Sequence, residues 1–236
     1  MQAVVLAGGL ATRMRPMTLT VPKALLVVAG RPFVDWQLER LAACGLCDVV
    51  LCVAHLGEAI HEHVGDGSRF GVRVAWSHEG PQLLGTGGAL RAALPLLEPT
   101  FLVTYGDSYL PFDYAEPLRI LDAHDDCDGV MAVYRNEGRW DPSNVTTDGE
   151  WVLRYEKGVK GDPTLDHIDY GATALRRSQI AVLPAAQAQG LDALQGRLAA
   201  RKRLRACLAR ERFFEIGSPE GLAELDRFLL RTQPSP

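Results

Sequence analysis

Four short apolar runs punctuate the first 110 residues: AVVLA (3–7), DVVLCVA (48–54), VRVAW (72–76) and TFLVTYGD (100–107). Each is rich in β-branched residues and too short for a core helix, so each reads as a buried strand. Between them lie three segments of helical spacing: PFVDWQLERLAACG (32–45), GEAIHEHVG (57–65) and GTGGALRAALPLL (85–97). Pro32 suits a first helical turn and Gly45 a helix end. A βαβαβαβ order leaves few architectures: α/β, three αβα layers, Rossmann-like, with a mainly parallel sheet. Such sheets bind ligands outside the carboxyl ends of their strands. Gly8-Gly9 and Gly106-Asp107 both fall there.

The second half is less regular. DYAEPLRILDAHD predicts a helix, DGVMAVYR a strand, and NVTTDGEWVLRYEKG a hairpin around Asp148-Gly149. HIDYGATAL is a further strand; RRSQIAVLP and GLDALQGRLAA are helical pieces. SPEGLAELDRFLLR is a closing helix with Ser218 as N-cap and Pro219 at its first position. The tail TQPSP is expected to fray. With no linker or repeat, residues 1–236 read as one domain, divided at about residue 110.

Composition removes several classes of function. At 47% hydrophobic the chain can build a core. A net charge of −4 argues against general nucleic-acid binding. No run approaches a membrane span. MQAVVLAGG lacks a basic leader and its apolar run stops at glycine, so it does not read as a signal peptide. Five cysteines without framework spacing predict a reduced, cytoplasmic setting.

The stretch LAGGLATRMRPMTLTVPKALL (6–26) gathers cations beside a glycine turn in this acidic chain. A glycine pair at a strand end lets backbone N–H groups approach phosphate oxygens. Arg13 offers a planar fork and Lys23 a mobile point charge. Neither a Walker loop nor G-x-G-x-x-G is present. The residues alone leave open a phosphate cradle or a tight turn followed by a solvated face.

This stretch resembles the signature of the sugar-1-phosphate nucleotidyltransferases (the NDP-sugar pyrophosphorylases), G-G-x-G-T-R followed by P-x-T and P-K. VAGRPFVDWQLERL, LLGTGGAL, TYGDSYL, YEKG and FFEIGSPEGLAELDRF agree with it in order, from residue 3 to about 230. The heptose-1-phosphate guanylyltransferase and N-acetylmuramate-1-phosphate uridylyltransferase branches are the most similar. Two positions depart from the pattern: Ala11 replaces the third glycine, and Glu215 stands where the family usually has Asp.

The resemblance implies an Mg²⁺-dependent enzyme that joins an NTP to a sugar 1-phosphate and releases pyrophosphate, with residues 1–110 taking the nucleotide and 111–236 the sugar. GTP with a heptose-like acceptor is the expected pair, uridylyl or cytidylyl transfer the alternative. A non-catalytic nucleotide sensor is a rival of another class, supported only by Ala11 and Glu215. Arg13 would hold the β- and γ-phosphates, Lys23 the α-phosphate or the sugar phosphate, and Asp107 and Glu215 the Mg²⁺. Leu6, Ala7, Gly8, Gly9 and Thr12 would receive the nucleotide. Gln82, Gly85 and Thr86 would meet the base. Glu156, Lys157, Asp169, Gly171 and Asn144 would line the sugar site. A monomer or homodimer is expected.

Three features carry no function in this reading. Cys44-Gly-Leu-Cys47 lacks a second pair and reads as packing. His61 and His63 are two apart, on different helix faces. RKRLRACLAR (201–210) alternates like a strand with one wet face.

Overall fold

The structure is a computed structural model and describes residues 1–80, 82–159 and 161–232. The nucleotide half contains β1 (Gln2–Leu6), the short pair β2 (Val27–Val28) and β3 (Arg31–Pro32), α1 (Phe33–Ala43), β4 (Asp48–Val53), α2 (Gly57–Val64), β5 (Arg73–His78), α3 (Gly85–Ala92), β6 (Thr100–Tyr105) and β7 (Ser108–Tyr109). The second half adds α4 (Glu116–Ala123), β8 (Gly129–Arg135), β9 (Val145–Thr147), β10 (Val152–Tyr155), β11 (His167–Arg176), α5 (Arg177–Ala181), α6 (Asp192–Ala200), β12 (Leu204–Ala209), β13 (Phe214–Glu215) and α7 (Pro219–Thr232). Residues 233–236, most of the tail expected to fray, lie outside the described residues; Thr232 closes α7.

The expected parallel core is present. β1 pairs in parallel with β4 and with β6, and β4 with β5. β11 lies antiparallel to β6 and to β8, β12 runs parallel to β8, and the β9–β10 hairpin joins β11. One mixed sheet thus crosses both halves of the sequence.

Strand alternation builds the three layers. Ala3 and Val5 face a layer with Leu38 and Leu41 of α1, Ile60 of α2 and Leu118 of α4. Val4 faces the other way, toward Leu90 of α3, Ile180 of α5, and Leu194 and Leu198 of α6. A third cluster docks α7, where Leu225 and Leu229 pack with Val28, Phe33, Phe214 and Ile216. Fully burying each such side chain is worth about 1.5–3 kcal/mol, enough for α7 to hold the short β13 beside the main sheet. The Ser218 hydroxyl accepts from the Gly221 amide at 3.1 Å, the expected N-cap geometry. No helix among the described residues is long and apolar enough to cross a membrane. Cys47 is exposed rather than packed, because it stands in the turn before β4.

Candidate active site

The carboxyl ends of β1, β5 and β6 open onto one cleft of about 260 Å³. Leu6, Ala7, Gly8, Gly9, Lys23, Gly85, Thr86 and Asp107 line it, together with Glu79, Leu83 and Tyr105. Its walls are built by close backbone approach. Gly106 donates its amide to Leu6 O at 2.9 Å, and a Cβ there would stand 2.8 Å from Ala7 Cβ. The ends of β1 and β6, which carry Gly8 and Asp107, therefore touch without side chains between them.

The turn bearing Asp107 is clamped from α1. Gln37, fully buried, donates from Nε2 to Tyr105 O at 2.7 Å and to Ser108 O at 3.0 Å. Ile216 donates its amide to Asp107 O at 2.9 Å, and Glu215 pairs with Ser108 in the β7–β13 ribbon. Two carboxylates 108 positions apart in sequence thus become neighbours. Lys23 Nζ lies 2.8 Å from Asp107 Oδ2, with both side chains largely shielded. A phosphate or cation entering here must exchange with this ion pair. The exposed Arg13 reaches the same place from the signature loop; a Cβ on Gly217 would lie 3.0 Å from its guanidinium.

The signature loop is closed by Thr18, whose hydroxyl donates to Ala11 O at 2.8 Å. Ala11 itself sits at φ 49°, ψ 39°, in the left-handed region. That conformation costs a non-glycine residue about 1 kcal/mol, which gives the Ala-for-Gly departure a physical meaning. Ala11→Gly should therefore raise stability by up to about 1 kcal/mol, net of glycine's greater freedom when unfolded. Thermal unfolding of the variant reads this directly, and an unchanged or lower Tm sinks it.

Along Leu6 to Gly9, expected to receive the nucleotide, fewer backbone amides are free than the sequence suggests. Leu6 lies within β1, and the Ala7 amide donates to Cys52 O at 2.8 Å. Only the amides of Gly8 and Gly9 face no backbone acceptor among the described residues. The glycines of LGTGG also have a different first duty. Gly85 sits at φ +68°, and a Cβ there would be 2.7 Å from Gln189 O. Gly87 and Gly88 donate their amides to that same Gln189 O, and the Thr86 hydroxyl accepts from Leu191 N at 2.8 Å. The helix start is thus packed against residues 187–191, while Gly85 and Thr86 still line the cleft. Gln82 and Thr12 are exposed and lie outside the cleft lining.

Glu79 was missed by the motif reading. It follows β5 directly, so the same strand-end rule that singled out Asp107 reaches it. Its Oε2 accepts from Leu84 N at 2.9 Å, and its Oε1 lies 2.5 Å from where a Cβ on Gly8 would be. Burial raises its pKa above the usual carboxylate value.

On the sugar side, a bulge in β11 interrupts its pairing with β8 between Asp169 and Thr173. Gly171 takes φ +91° there and donates its amide to Asp169 Oδ1 at 3.0 Å. Tyr155 donates to Asp169 Oδ2 at 3.2 Å, and the Asn144 side chain accepts the Asp169 amide at 2.8 Å. Asn144 therefore positions Asp169. Burial raises the Asp169 pKa, against the Gly171 hydrogen bond and nearby Lys157. Lys157 Nζ is 5.8 Å from the centre of the Tyr105 ring. Glu156 is not brought here: its exposed carboxylate pairs with Arg154 at 2.8 Å.

Asp107 and Glu215 suit a hard divalent cation, which takes one or two protein carboxylates and completes its shell from phosphate and water. Among the described residues no third His, Cys, Asp or Glu joins them in a metal-type cluster. Burial and the charges of Asp107 and Asp141 push the Glu215 pKa up to about 7, against Arg13 and Lys23. The folded chain thus holds a proton that the unfolded chain releases at its ordinary carboxylate value near 4.5. In chelator, stability should fall as pH rises from there through about 7. Glu215→Gln should lack this slope and be more stable than wild type above it. Parallel slopes in denaturant titrations across that range would remove the argument.

A model of the nucleotidyl transferase family matches residues 2–139, well over half of the chain. The chain belongs to the nucleotidyl transferase family. An N-acetylmuramate alpha-1-phosphate uridylyltransferase from Neisseria meningitidis is 46% identical over 116 residues, 48% of this chain and 50% of its own. A mannose-1-phosphate guanylyltransferase from Mycobacterium tuberculosis is 34% identical over 187 residues, 77% of this chain and 50% of its own. The aligned stretches span about half the length of these curated relatives. Among solved structures, HddC from Yersinia pseudotuberculosis complexed with GMP-PN aligns with TM-score 0.78 and 24% identity, covering 97% of this chain and 99% of that one. A Bacillus anthracis chain in complex with sucrose aligns with TM-score 0.86 at 17% identity, covering 100% and 97%. These likenesses establish that this nucleotidyl transferase shares their fold.

Proposed function

We propose that this protein transfers a nucleoside monophosphate from an NTP to a sugar 1-phosphate and releases pyrophosphate. The observation that carries this reading is the meeting of Arg13, Lys23, Asp107 and Glu215 at one end of a glycine-walled cleft. A sugar-phosphate oxygen would attack the α-phosphorus as the bond to the departing pyrophosphate breaks. That nucleophile is already anionic, so the site needs alignment and charge neutralisation rather than a base.

Arg13 would hold the outgoing phosphates. Lys23 would exchange Asp107 for a phosphate oxygen, and Lys157 would neutralise the sugar phosphate. Asp107 and Glu215 would hold Mg²⁺, which when bound offsets charge on the phosphates. We place the reaction in the cytoplasm.

For the base, guanine is favoured. Glu79 offers only acceptors to the cleft, and the guanine edge carries paired N–H donors where uracil presents one donor between two carbonyls. The guanylyltransferase relative, similar over 77% of this chain, agrees. The heptose-like acceptor has no such support beyond the sequence. Uridylyl transfer is the second reading, favoured by the 46% identity to the Neisseria uridylyltransferase. Pyrophosphate release measured over GTP, UTP, CTP, dTTP and ATP against a panel of sugar 1-phosphates decides. GTP should give the highest kcat/KM. NTP binding with no release for any acceptor would leave a sensor, not an enzyme.

A further inference from the structure

We propose that His61 and His78 form a binding site for a borderline divalent cation, Zn²⁺, Ni²⁺ or Cu²⁺, on the outer edge of the sheet and separate from the Asp107–Glu215 pair. The inference does not depend on the transferase reading. β5 closes one end of the main sheet. Ile60 and Val64 of α2 pack in one cluster with Val74 and Trp76 of β5. Strand alternation puts His78 on that same face, toward α2.

The two histidines that stand two apart on α2 go different ways. His63 Nε2 lies 2.7 Å from Asp35 Oδ1 and 2.9 Å from an Arg69 nitrogen. His61 turns to β5, where its ring stacks on Trp76 with centroids 4.3 Å apart and planes 19° from parallel. The His78 ring lies 6.2 Å from Trp76 and 6.0 Å from His61. Both His61 and His78 are exposed, and neither imidazole hydrogen-bonds to any described residue.

A face-to-face stack holds the His61 ring by its face and leaves its edge nitrogens free. Imidazole nitrogens suit Zn²⁺, Ni²⁺ and Cu²⁺, whereas Mg²⁺ prefers oxygen. With metal–nitrogen bonds of about 2.0–2.1 Å, two imidazoles on a tetrahedral ion stand with centroids about 5 Å apart. The 6.0 Å found here can close to that by rotation of two exposed side chains. Glu58, one turn before His61 on α2, is in no ion pair among the described residues, so the local charge favours a cation. Among the described residues no third His, Cys, Asp or Glu completes the group, which leaves the remaining positions to water. His78 directly precedes Glu79, which lines the cleft, but is not itself in the lining. An ion here would tie α2 to β5 one residue from the nucleotide cleft without filling it.

The test titrates NiCl₂ calorimetrically into the full chain. Mg²⁺ in excess occupies the carboxylate pair, and a Cys47→Ser background removes the exposed thiol. One ion should bind per chain. His61→Ala and His78→Ala should each weaken binding by about tenfold or more. His55→Ala, at an exposed histidine outside the pair, should leave it unchanged. Glutamine at position 61 or 78 should repeat the loss if an alanine variant unfolds. Location is read separately: Cu²⁺ should quench Trp76 fluorescence, and Trp76→Phe should bind as before yet lose that quench. No binding in the presence of Mg²⁺, binding that survives loss of either imidazole, an equal loss in His55→Ala, or a quench that persists in Trp76→Phe overturns the proposal.

Discussion

Asp107→Asn and Arg13→Ala should each lower pyrophosphate release by about 10²-fold or more. The asparagine is isosteric and keeps the turn, because Gln37 and Ile216 hold that turn through backbone carbonyls, not through the Asp107 side chain. What disappears is one of two carboxylates and the partner of Lys23. With Lys23 released toward phosphate, NTP affinity should hold or improve while kcat collapses. For Arg13 the split differs. Its guanidinium makes no ion pair among the described residues, so on the proposed reaction its loss would leave the departing pyrophosphate less neutralised, with little effect on stability. Steady-state kinetics with NTP varied separate the two, and near-normal kcat in either variant removes that residue from the site.

Gly106→Ala should be the most damaging small change to the fold of the site. The added Cβ would stand 2.8 Å from Ala7 Cβ, 2.9 Å from Ala7 Cα and 3.1 Å from Leu6 O. Two of these are backbone atoms of the central strand β1 or its extension, so no rotamer change can relieve the clash. Forcing the strand ends apart costs about 3 kcal/mol, or about 10 °C in Tm for a chain of this size. Because the same ends carry Gly8 and Asp107, turnover should fall at least tenfold as well. A variant with wild-type Tm would mean that the ends of β1 and β6 are looser than their hydrogen bond implies.

The parallel core was legible because its signal is local. Valine-rich runs between helical periods admit few folds, and the strands at Ala3, Val49 and Phe101 fall where that pattern puts them. Strand ends also announced Asp107. Other site features have no local signature. Gln37 is one polar residue in an amphipathic helix, and its clamp on Tyr105 and Ser108 exists only once α1 packs on the sheet. Glu156 was misdirected for the reverse reason: a motif neighbour of Lys157, it is claimed by Arg154 in its own hairpin. Gly85, expected to meet the base, also packs on Gln189, a partner about a hundred positions away that no local pattern could show.

The two-residue ribbon of β7 and β13 sets an order of assembly. The nucleotide-half strands, β1, β4, β5 and β6, pair within the first 105 residues, but Glu215 arrives only when β13 and α7 dock. Contacts closing loops of that length form late in folding. On a ribosome these four strands would be free to pair well before Glu215 is synthesised. A chain arrested before β13 would have β1 and β6 paired yet lack both Glu215 and the Ile216 amide that holds the Asp107 turn.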